Sequence, residues 1–305
     1  MNSVLIIPTL NAGPQFKELL KSIAQQSYQP DYKVVVDSGS KDNTVELAKE
    51  YNFEIISIKA SEFNHGGTRQ KVVDLFSNCE IAIFLTQDAI LSRENSLEKL
   101  MECFSDKRVG AAYGRQLPHI NAKPLGAHAR LFNYPEKSRI KCLNDRKELG
   151  IKTAFISNSF AAYRISALTA VGGFPENTIL SEDTYVAAKM LLEGWKIYYS
   201  ADATVFHSHD YSIKEEFKRY FDIGVFYSRE KWIIERFGKA EGEGLKFVIS
   251  ELQYLLKNRK LHLIPSSIFR SILKLVGFKL GSMENFLPLS IKKKISMHRT
   301  FWTKS

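Results

Sequence analysis

The segment Val4-Leu5-Ile6-Ile7-Pro8-Thr9-Leu10-Asn11 begins with four apolar residues and becomes polar directly after a proline. A short apolar run of this kind predicts a fully buried strand of a parallel sheet. Residues 14–26 follow with apolar side chains at helical spacing, which predicts an amphipathic helix. A buried strand that leads into a helix is half of a β-α-β unit, so this segment indicates an α/β fold.

The same alternation continues along the first ninety residues. Further strands are predicted at 33–37, 53–58 and 81–85, with helices over about 43–51 and 66–76. This order implies a mostly parallel sheet with right-handed crossovers.

Beyond about residue 92 the pattern is mixed. Residues 116–150 are polar, contain three prolines and are interpreted as a functional loop. The remaining predictions are a helix over 95–104, a strand over 109–113, short strands near 153–157, 195–200 and 203–207, helices near 165–171 and 182–193, and helical structure over 212–237.

Composition places the chain among ordinary globular proteins. It has 305 residues, of which 44% are apolar and 25% are charged. No run of eighteen apolar residues occurs, so we expect no transmembrane helix, and no basic residue precedes Val4, so we expect no secretory signal. The three cysteines lack CxxC spacing, which favours a reduced, cytoplasmic protein without a disulfide framework.

The net charge of +10 lies almost wholly in the last 67 residues. Residues 239–305 contain 13 Lys and Arg against 4 Asp and Glu, whereas residues 1–238 are close to neutral. A neutral body argues against a nucleic-acid enzyme. A basic tail with apolar helical faces suggests docking to an anionic phospholipid surface; packing on the body or dimerisation is the alternative.

Four polar clusters follow predicted strands, at the sheet edge where open parallel sheets bind ligands. They are residues 8–11, 37–40, 63–69 and 86–89. Four clusters at one edge suggest a shared ligand. No G-x-G-x-x-G follows the first strand and no Walker motif occurs, so dinucleotide-binding and P-loop classes are excluded.

These motifs together resemble glycosyltransferase family 2. The resemblance rests on Pro8-Thr9-Leu10-Asn11, on Val36-Asp37-Ser38-Gly39-Ser40, on an acidic end of the fourth strand and on Ser181-Glu182-Asp183. Phe63-Asn64-His65-Gly66-Gly67-Thr68-Arg69, with Leu85-Thr86-Gln87-Asp88-Ala89, is similar to the bacterial rhamnosyltransferases of O-antigen and related surface polysaccharides. The resemblance implies a GT-A fold, a Rossmann-like mixed sheet flanked by helices, over residues 1–238. The charge count and the apolar helical faces predict a basic amphipathic helical region over 239–305.

The resemblance also implies a nucleotide-sugar donor at the strand ends. Asp37 matches the family's acid that accepts a hydrogen bond from the pyrimidine N3–H. Thr9 and Asn11 are expected to line the nucleoside pocket, and Pro8 and Ser38 are expected to contact the donor. The residues expected to recognise the diphosphate and deoxysugar are His65, Gly66, Gly67, Arg69 and Gln87, because a helix N-terminus favours an anion and arginine grips phosphate as a fork. Each also has a structural interpretation, as a turn or helix-start residue.

Asp88 is the predicted ligand of Mg²⁺ or Mn²⁺, hard ions that prefer oxygen. The family motif at this point is Asp-x-Asp, and this chain offers a single carboxylate. The segment His207-Ser208-His209 can supply a further ligand, because strand alternation places both imidazoles on one side. We favour His209. A turn role for Asp88 and a structural role for the histidine are the alternatives.

The resemblance implies that Asp183 is the general base. Displacement at an anomeric carbon requires such a group, because the acceptor hydroxyl must lose its proton. Glu182 is expected to support it or contact the acceptor, and Trp195 is expected to stack on an acceptor sugar. The structural alternatives are that Ser181 caps the helix, that the two acids suit its positive end and that Trp195 packs in the core.

The implied reaction is an inverting single displacement that transfers L-rhamnose from dTDP-β-L-rhamnose to a lipid-linked oligosaccharide. The enzyme is then expected in the cytoplasm, peripheral at the inner face of the membrane, with an oligomer possible. Two other hypotheses stay open: a family 2 transferase that uses a UDP-hexose, and a non-catalytic nucleotide-sugar-binding subunit.

Overall fold

The computed structural model describes residues 1–239 and 242–303. Within these ranges the sheet has nine strands: β1 (Ser3–Thr9), β2 (Tyr32–Asp37), β3 (Glu54–Ser57), β4 (Ile81–Leu85), β5 (Ile90–Leu91), β6 (Val109–Leu117), β7 (Arg139–Lys141), β8 (Phe160–Arg164) and β9 (Lys196–Phe206). The helices of the body are α1 (Gln15–Ala24), α2 (Thr44–Glu50), α3 (His65–Leu75), α4 (Ser96–Met101), α5 (Pro124–Asn133), α6 (Arg146–Leu149), α7 (Ile165–Ala170), α8 (Glu182–Leu192), α9 (Ile213–Arg229) and α10 (Lys231–Phe237). The C-terminal helices are α11 (Glu243–Lys257), α12 (Ile264–Ser282) and α13 (Leu289–Ile295).

The strands form one mixed sheet in the order β3-β2-β1-β4-β8-β6-β9-β5, with β7 paired to β9. Strands β1 to β4 are mutually parallel, β8 runs antiparallel to both β4 and β6, and β6 is parallel to β9. The carboxyl ends of β1, β2, β4, β6 and β9 therefore lie at the same edge. Strand β5 leaves β4 and pairs with the end of β9, which brings the segment after β4 beside the segment after β9.

The central strands are buried on both faces, as their unbroken apolar sequence predicts. Val4 and Ile6 of β1 contribute to one core, and Leu5 and Ile7 contribute to the other. The second core includes the apolar face of α1. Alternation along a strand thus supplies both layers of helices with a packing surface.

The elements predicted for the first ninety residues are confirmed, and three later predictions are wrong. Residues 116–150 contain α5 and β7 rather than one irregular loop. The strand expected near 153–157 is displaced to β8, after a short 3₁₀ helix. The two strands expected between 195 and 207 form the single strand β9, because a register shift between Gly114 and Arg115 of β6 accommodates the extra residues.

The C-terminal helices pack on the body. Helix α12 lies along α9, and glycines allow the two backbones to touch: a Cβ at Gly277 would lie 2.6 Å from the Phe217 carbonyl oxygen, and one at Gly281 would lie 2.0 Å from that of Phe221. Helix α11 packs on α5 and on α12.

Among residues 1–239 and 242–303, one helical segment is long and apolar enough to cross a membrane by length and composition alone. It is Leu261–Ser282, with a mean hydropathy of 1.2. The segment passes this test because averaging tolerates the charges of Arg270 and Lys274 that interrupt the apolar run. The expectation of no transmembrane helix stays a prediction.

Candidate active site

Asp88, His207 and His209 form a compact group of potential metal ligands at the sheet edge. Their ligand atoms all lie within 4.8 Å of one another. The Asp88 carboxylate is 3.5 Å from His207 Nε2 through Oδ1 and 3.8 Å from His209 Nδ1 through Oδ2. The pairing of β5 with β9 brings these residues together from distant parts of the sequence. The group of potential metal ligands thus contains His207 as well as His209, the histidine that the sequence analysis favours.

A neighbouring glutamine fixes which nitrogen of His207 faces Asp88. Gln116 donates from Nε2 to the Ser157 hydroxyl at 2.9 Å, so its Oε1 is left to accept from His207 Nδ1 at 2.8 Å. The Nε2 atom of a neutral His207 then presents a lone pair toward the Asp88 carboxylate. Two acceptors that face each other at 3.5 Å suit a cation between them, so these residues fit a divalent metal.

The protonation states of this group also suit metal binding. Burial opposes ionisation of Asp88, but at acidic pH the protonated imidazole of His207 donates a hydrogen bond to it, and the positive charges of protonated His207 and His209 also favour the carboxylate. Together they hold the pKa of the carboxyl below its usual range. Burial lowers the pKa of His207. Burial and the neighbouring His207 together lower the pKa of His209 to about 3. At neutral pH the site therefore offers one carboxylate and two neutral imidazoles, the forms that bind metal.

Asp183 and Glu182 begin α8 beside this group, and the structure gives them different environments. Glu182 is buried; it pairs with Arg69 at 3.0 Å and accepts from Asn158 Nδ2 at 2.9 Å. Asp183 is half-buried and accepts from the backbone N–H groups of Asn158 at 3.1 Å and Thr184 at 2.7 Å. Glu182 is therefore a counter-ion of the scaffold, whereas Asp183 faces the cavity.

The two carboxyl groups titrate differently for the same reason. Burial raises the pKa of Asp183, and the negative charge of Glu182 raises it further, to about 7. Burial also acts on Glu182, but Arg69 outweighs it and holds the pKa of Glu182 below its usual range. Asp183 is thereby poised to take a proton near neutral pH, as a general base requires.

A cavity of about 1100 Å³ encloses both groups. Seven of the predicted site residues line it: His65, Arg69, Gln87, Asp88, Glu182, Asp183 and His209. It is bounded on the far side by α5, α9 and the C-terminal helices, since residues of all three regions contribute to its wall.

The residues predicted for the nucleoside pocket lie beside this cavity rather than in its wall. Asp37 is buried; it accepts from the backbone N–H groups of Gly39 and Ser40 at 3.0 and 2.9 Å and from the Thr9 hydroxyl at 3.2 Å. Asn11 accepts from the backbone N–H of Lys41. These contacts shape the two loops that follow β1 and β2.

Gln87 connects that pair of loops to the cavity. It accepts from the backbone N–H of Leu10 at 2.9 Å. Pro8 is the one partly exposed residue of β1, Thr9 after it is buried again, and Ser38 donates through its hydroxyl to the Thr9 carbonyl at 2.9 Å. The strand ends thus form one continuous edge.

The predicted glycines and tryptophan have packing contacts. A Cβ at Gly66 would lie 1.9 Å from the Pro175 carbonyl oxygen, so this glycine lets α3 approach the loop before α8. Gly67 donates its N–H to Asn64 at the start of α3. Trp195 lies at the start of β9, the end opposite His207, where it packs against Gly110 and does not line the cavity.

Two backbone positions at the site adopt left-handed conformations that non-glycine residues rarely take. Asn11 has φ of 46° and Ser181 has φ of 61°. Such strain persists where the surrounding structure holds it, and it clusters at functional sites. Ser181 makes no side-chain capping bond to α8, so the capping interpretation is wrong and its conformation instead sets the entry of Glu182 and Asp183.

Sequence reasoning missed several residues of the cavity. Arg130 of α5 and Arg219 of α9 line it, and neither guanidinium forms an ion pair or hydrogen bond with the residues of the described ranges. Both lower the pKa of His209, so both lie within electrostatic reach of the candidate metal site. The one sequence signal for Arg130 was its place in residues 116–150, the segment interpreted as a functional loop. No sequence signal indicated Arg219, because its place in the cavity wall depends on how α9 packs on the body.

The arrangement combines three chemical capacities. The Asp-His-His group can hold a divalent cation, two unpaired arginines can bind an anionic group near it, and Asp183 can accept a proton. These are the requirements for displacing a diphosphate leaving group by a hydroxyl nucleophile.

The chain is similar to known proteins over most of its length. A family model described as Glycosyl transferase family 2 matches residues 4–172. The chain is 49% identical to the O-antigen chain rhamnosyltransferase WbaN of Salmonella anatum, over 98% of this chain and 95% of that protein. It is also 49% identical to the O-antigen chain rhamnosyltransferase RfbN of Salmonella typhimurium, over 99% of this chain and 96% of that protein.

Solved structures show the same fold at low sequence identity. The mannosyltransferase PcManGT of Pyrobaculum calidifontis, in complex with GDP-Man and Mn²⁺, superposes with a TM-score of 0.58 at 18% identity, over 99% of this chain and 85% of that chain. S. aureus TarS 1–349 in complex with UDP gives 0.52 at 16% identity, over 93% and 91% of the two chains.

Proposed function

Because the chain belongs to glycosyl transferase family 2, we propose that it transfers L-rhamnose, by an inverting single displacement, from dTDP-β-L-rhamnose to a lipid-linked oligosaccharide in O-antigen or other surface polysaccharide synthesis. The observation that carries the proposal is the 49% identity to two O-antigen chain rhamnosyltransferases over nearly the full length of every chain. The geometry of the cavity supports the chemistry.

The leaving diphosphate would bind between the metal site and the two unpaired arginines. Asp88, His207 and His209 would hold the metal, which when bound neutralises charge on the diphosphate. Arg130 and Arg219 supply fork-shaped donors for the remaining phosphate oxygens. Because two of the three ligand groups are imidazoles, we expect Mn²⁺ to bind more tightly than Mg²⁺.

Asp183 would remove the proton of the attacking acceptor hydroxyl. Its two backbone hydrogen bonds fix the orientation of the carboxylate, and its raised pKa makes it basic enough to act near neutral pH. Arg69, Glu182 and Asn158 hold this end of α8 in place. The displacement then needs no covalent sugar intermediate.

The membrane would present the acceptor at the C-terminal helices. The exposed apolar side chains of α11 and α12 are Leu245, Ile249, Leu256, Ile268, Phe269, Ile272, Leu275 and Val276. Exposed Leu256 and Leu261 adjoin Lys260, His262 and Leu263 at the cavity wall. An anionic leaflet would attract the basic tail and bring a lipid-linked saccharide to the opening.

Helix α12 would lie at the membrane interface rather than cross it. Arg270 and Lys274 pair with Glu216 of α9, and the glycine contacts fix the helix to the body. The exposed apolar side remains available to lipid.

The test measures donor turnover by the purified protein. We expect hydrolysis of dTDP-rhamnose with Mn²⁺, loss of hydrolysis in EDTA, and little turnover of UDP-glucose, UDP-galactose or UDP-N-acetylglucosamine. Asp88→Ala and Arg130→Gln should reduce turnover strongly. Asp202→Asn, at an exposed acid that does not line the cavity, is the matched control and should leave it unchanged.

A preference for a UDP-hexose would contradict the proposed donor while keeping the mechanism. Turnover that is unaffected by EDTA and by Asp88→Ala would contradict the metal site.

A further inference from the structure

A second cavity of about 310 Å³ opens beside the main one, and the two share His65 and His298. The other residues of its wall include Phe63, Glu176, Asn177, Thr178, Thr300 and Phe301. This volume is at the lower end of the range for small-molecule pockets. The cavity therefore has room for a small ligand next to the site of transfer.

The wall on one side is the C-terminal strap, by which we mean residues 296–302. Met297 donates its backbone N–H to the buried Asp222 of α9 at 2.8 Å. At the other end Trp302 is 2% exposed and lies under the guanidinium of Arg229, 5.2 Å from the ring centroid. Anchors at both ends hold His298 against His65, with the ring centroids 5.0 Å apart.

The cavity presents polar groups that no described residue satisfies. Thr178 is 5% exposed, and its buried hydroxyl has no hydrogen-bond partner within residues 1–239 and 242–303. The side chains of Glu176, Asn177 and Thr300 form no hydrogen bond or ion pair within the same ranges. A buried hydroxyl left unpaired is costly, so a ligand that pairs with it is favoured.

The charge of the cavity argues against a phosphate. Arg229 is engaged by Glu284 at 2.9 Å, so it is not free to bind an anion. Burial lowers the pKa of His65 and also that of His298, the latter to about 3, so both rings are neutral at physiological pH. The Glu176 carboxylate adds a negative charge and can accept from hydroxyl groups.

Hydroxyl, amide and carboxylate groups beside aromatic rings are what a neutral sugar needs. The Phe63 and His65 rings lie 5.1 Å apart and form an apolar wall for the faces of a pyranose. Asn177, Thr178 and Thr300 can then bond its hydroxyls.

We infer that this cavity binds one neutral sugar unit of the acceptor, adjacent to the unit whose hydroxyl Asp183 deprotonates. The inference rests on the proposed function, since it assigns part of that enzyme's substrate. The C-terminal strap is then a substrate-binding element, and His298 contacts both sugar positions because it lines both cavities.

The test measures binding of methyl glycosides of galactose, glucose, mannose and N-acetylglucosamine to the full chain with Mn²⁺ and dTDP, by saturation-transfer NMR. We expect at least one glycoside to bind at millimolar concentration. Thr178→Val and Asn177→Ala should each weaken it about threefold to tenfold, the factor for one lost hydrogen bond. Thr169→Val, at an exposed threonine outside both cavities, is the matched control.

Hydrolysis of dTDP-rhamnose is measured on the same variants and should stay at the wild-type rate. Glycoside binding that is absent, or that survives both substitutions unchanged, would overturn the subsite. A third outcome is that the wild type binds a glycoside, both variants lose that binding, and no protein turns over dTDP-rhamnose. That outcome would contradict the proposed donor and support the subsite.

Discussion

Individual side chains at this site are controlled by neighbours that take no part in the reaction. Gln116 selects the tautomer of His207. Arg69 holds the pKa of Glu182 below its usual range, whereas burial and the charge of Glu182 raise the pKa of Asp183 to about 7. The same residue types in other surroundings would have ordinary pKa values and free orientations. The chemistry of the site therefore depends on these neighbouring residues, Gln116 and Arg69, as much as on the groups that they orient or charge.

At the residue scale, the pKa of Asp183 predicts the pH dependence of transfer. A base works only when deprotonated, so kcat/KM should fall as pH drops below about 7, the value to which burial and Glu182 raise its pKa. Asp183→Asn should lower kcat by about 10²–10⁴-fold. Rates measured from pH 5 to 9 check both statements.

A second acid near the cavity provides the control for that profile. Burial raises the pKa of Asp222 to about 6. Asp222→Asn should leave the fall of kcat/KM below about pH 7 in place. If that fall disappears in this variant, the titrating group is Asp222 and not Asp183.

Also at the residue scale, Gln116→Met should weaken Mn²⁺ binding by about 10–100-fold, the usual effect of losing a residue that orients a metal-bound histidine. Titration of Mn²⁺ followed by electron paramagnetic resonance measures this directly. The free energy of unfolding in EDTA, measured alongside, should change much less. Equal Mn²⁺ affinity in wild type and variant would contradict the orienting role.

At the element scale, the N-termini of α3 and α8 are joined by one buried ion pair. Arg69 and Glu182 are each about 5% exposed, and Gly66 allows the close approach that makes the pair possible. The position of Asp183 is therefore set by the packing of two helices that are more than a hundred residues apart in sequence.

This contact predicts a large loss of stability on single substitution. Arg69→Ala should lower the free energy of unfolding by about 3–5 kcal/mol, because it leaves Glu182 buried without its partner. The double substitution Arg69→Met with Glu182→Gln should recover much of the loss. Urea unfolding followed by circular dichroism measures all three variants.

The exposed pair Arg108–Asp106 is the matched control, since 71% of the Arg108 side chain is accessible. Arg108→Ala should cost about 1 kcal/mol or less. A similar cost at both arginines would show that the buried pair does not hold the two helices.

At the scale of the whole molecule, the C-terminal helices belong to the active-site wall as well as to the basic tail. Residues of α11 and α12 line the cavity, and the strap contributes His298. The helices that form the proposed membrane surface therefore also form part of the cavity wall.

The membrane surface predicts a specific binding behaviour. The protein should sediment with vesicles of phosphatidylglycerol more than with phosphatidylcholine, and added salt should weaken the binding. Phe269→Glu should reduce sedimentation, whereas Leu75→Glu, at an exposed leucine of α3 on the body, should not. Equal sedimentation of the two variants would contradict lipid contact through α12.

The sequence by itself determined the family and the early sheet, and it pointed to most of the candidate site residues. The buried strands β1, β2 and β4 follow from apolar runs, and Asp88, Asp183 and His209 follow from motifs at strand and helix ends. These features are local, because burial pattern and motif spacing are carried by neighbouring residues.

Only the tertiary structure decided which of these residues meet. Pairing of β5 with β9 brings His207 to Asp88, packing of α5 and α9 brings Arg130 and Arg219 to the cavity, and Trp195 is held at the opposite end of β9. These contacts join segments far apart in sequence, and they depend on strand order and helix packing, which no local pattern encodes.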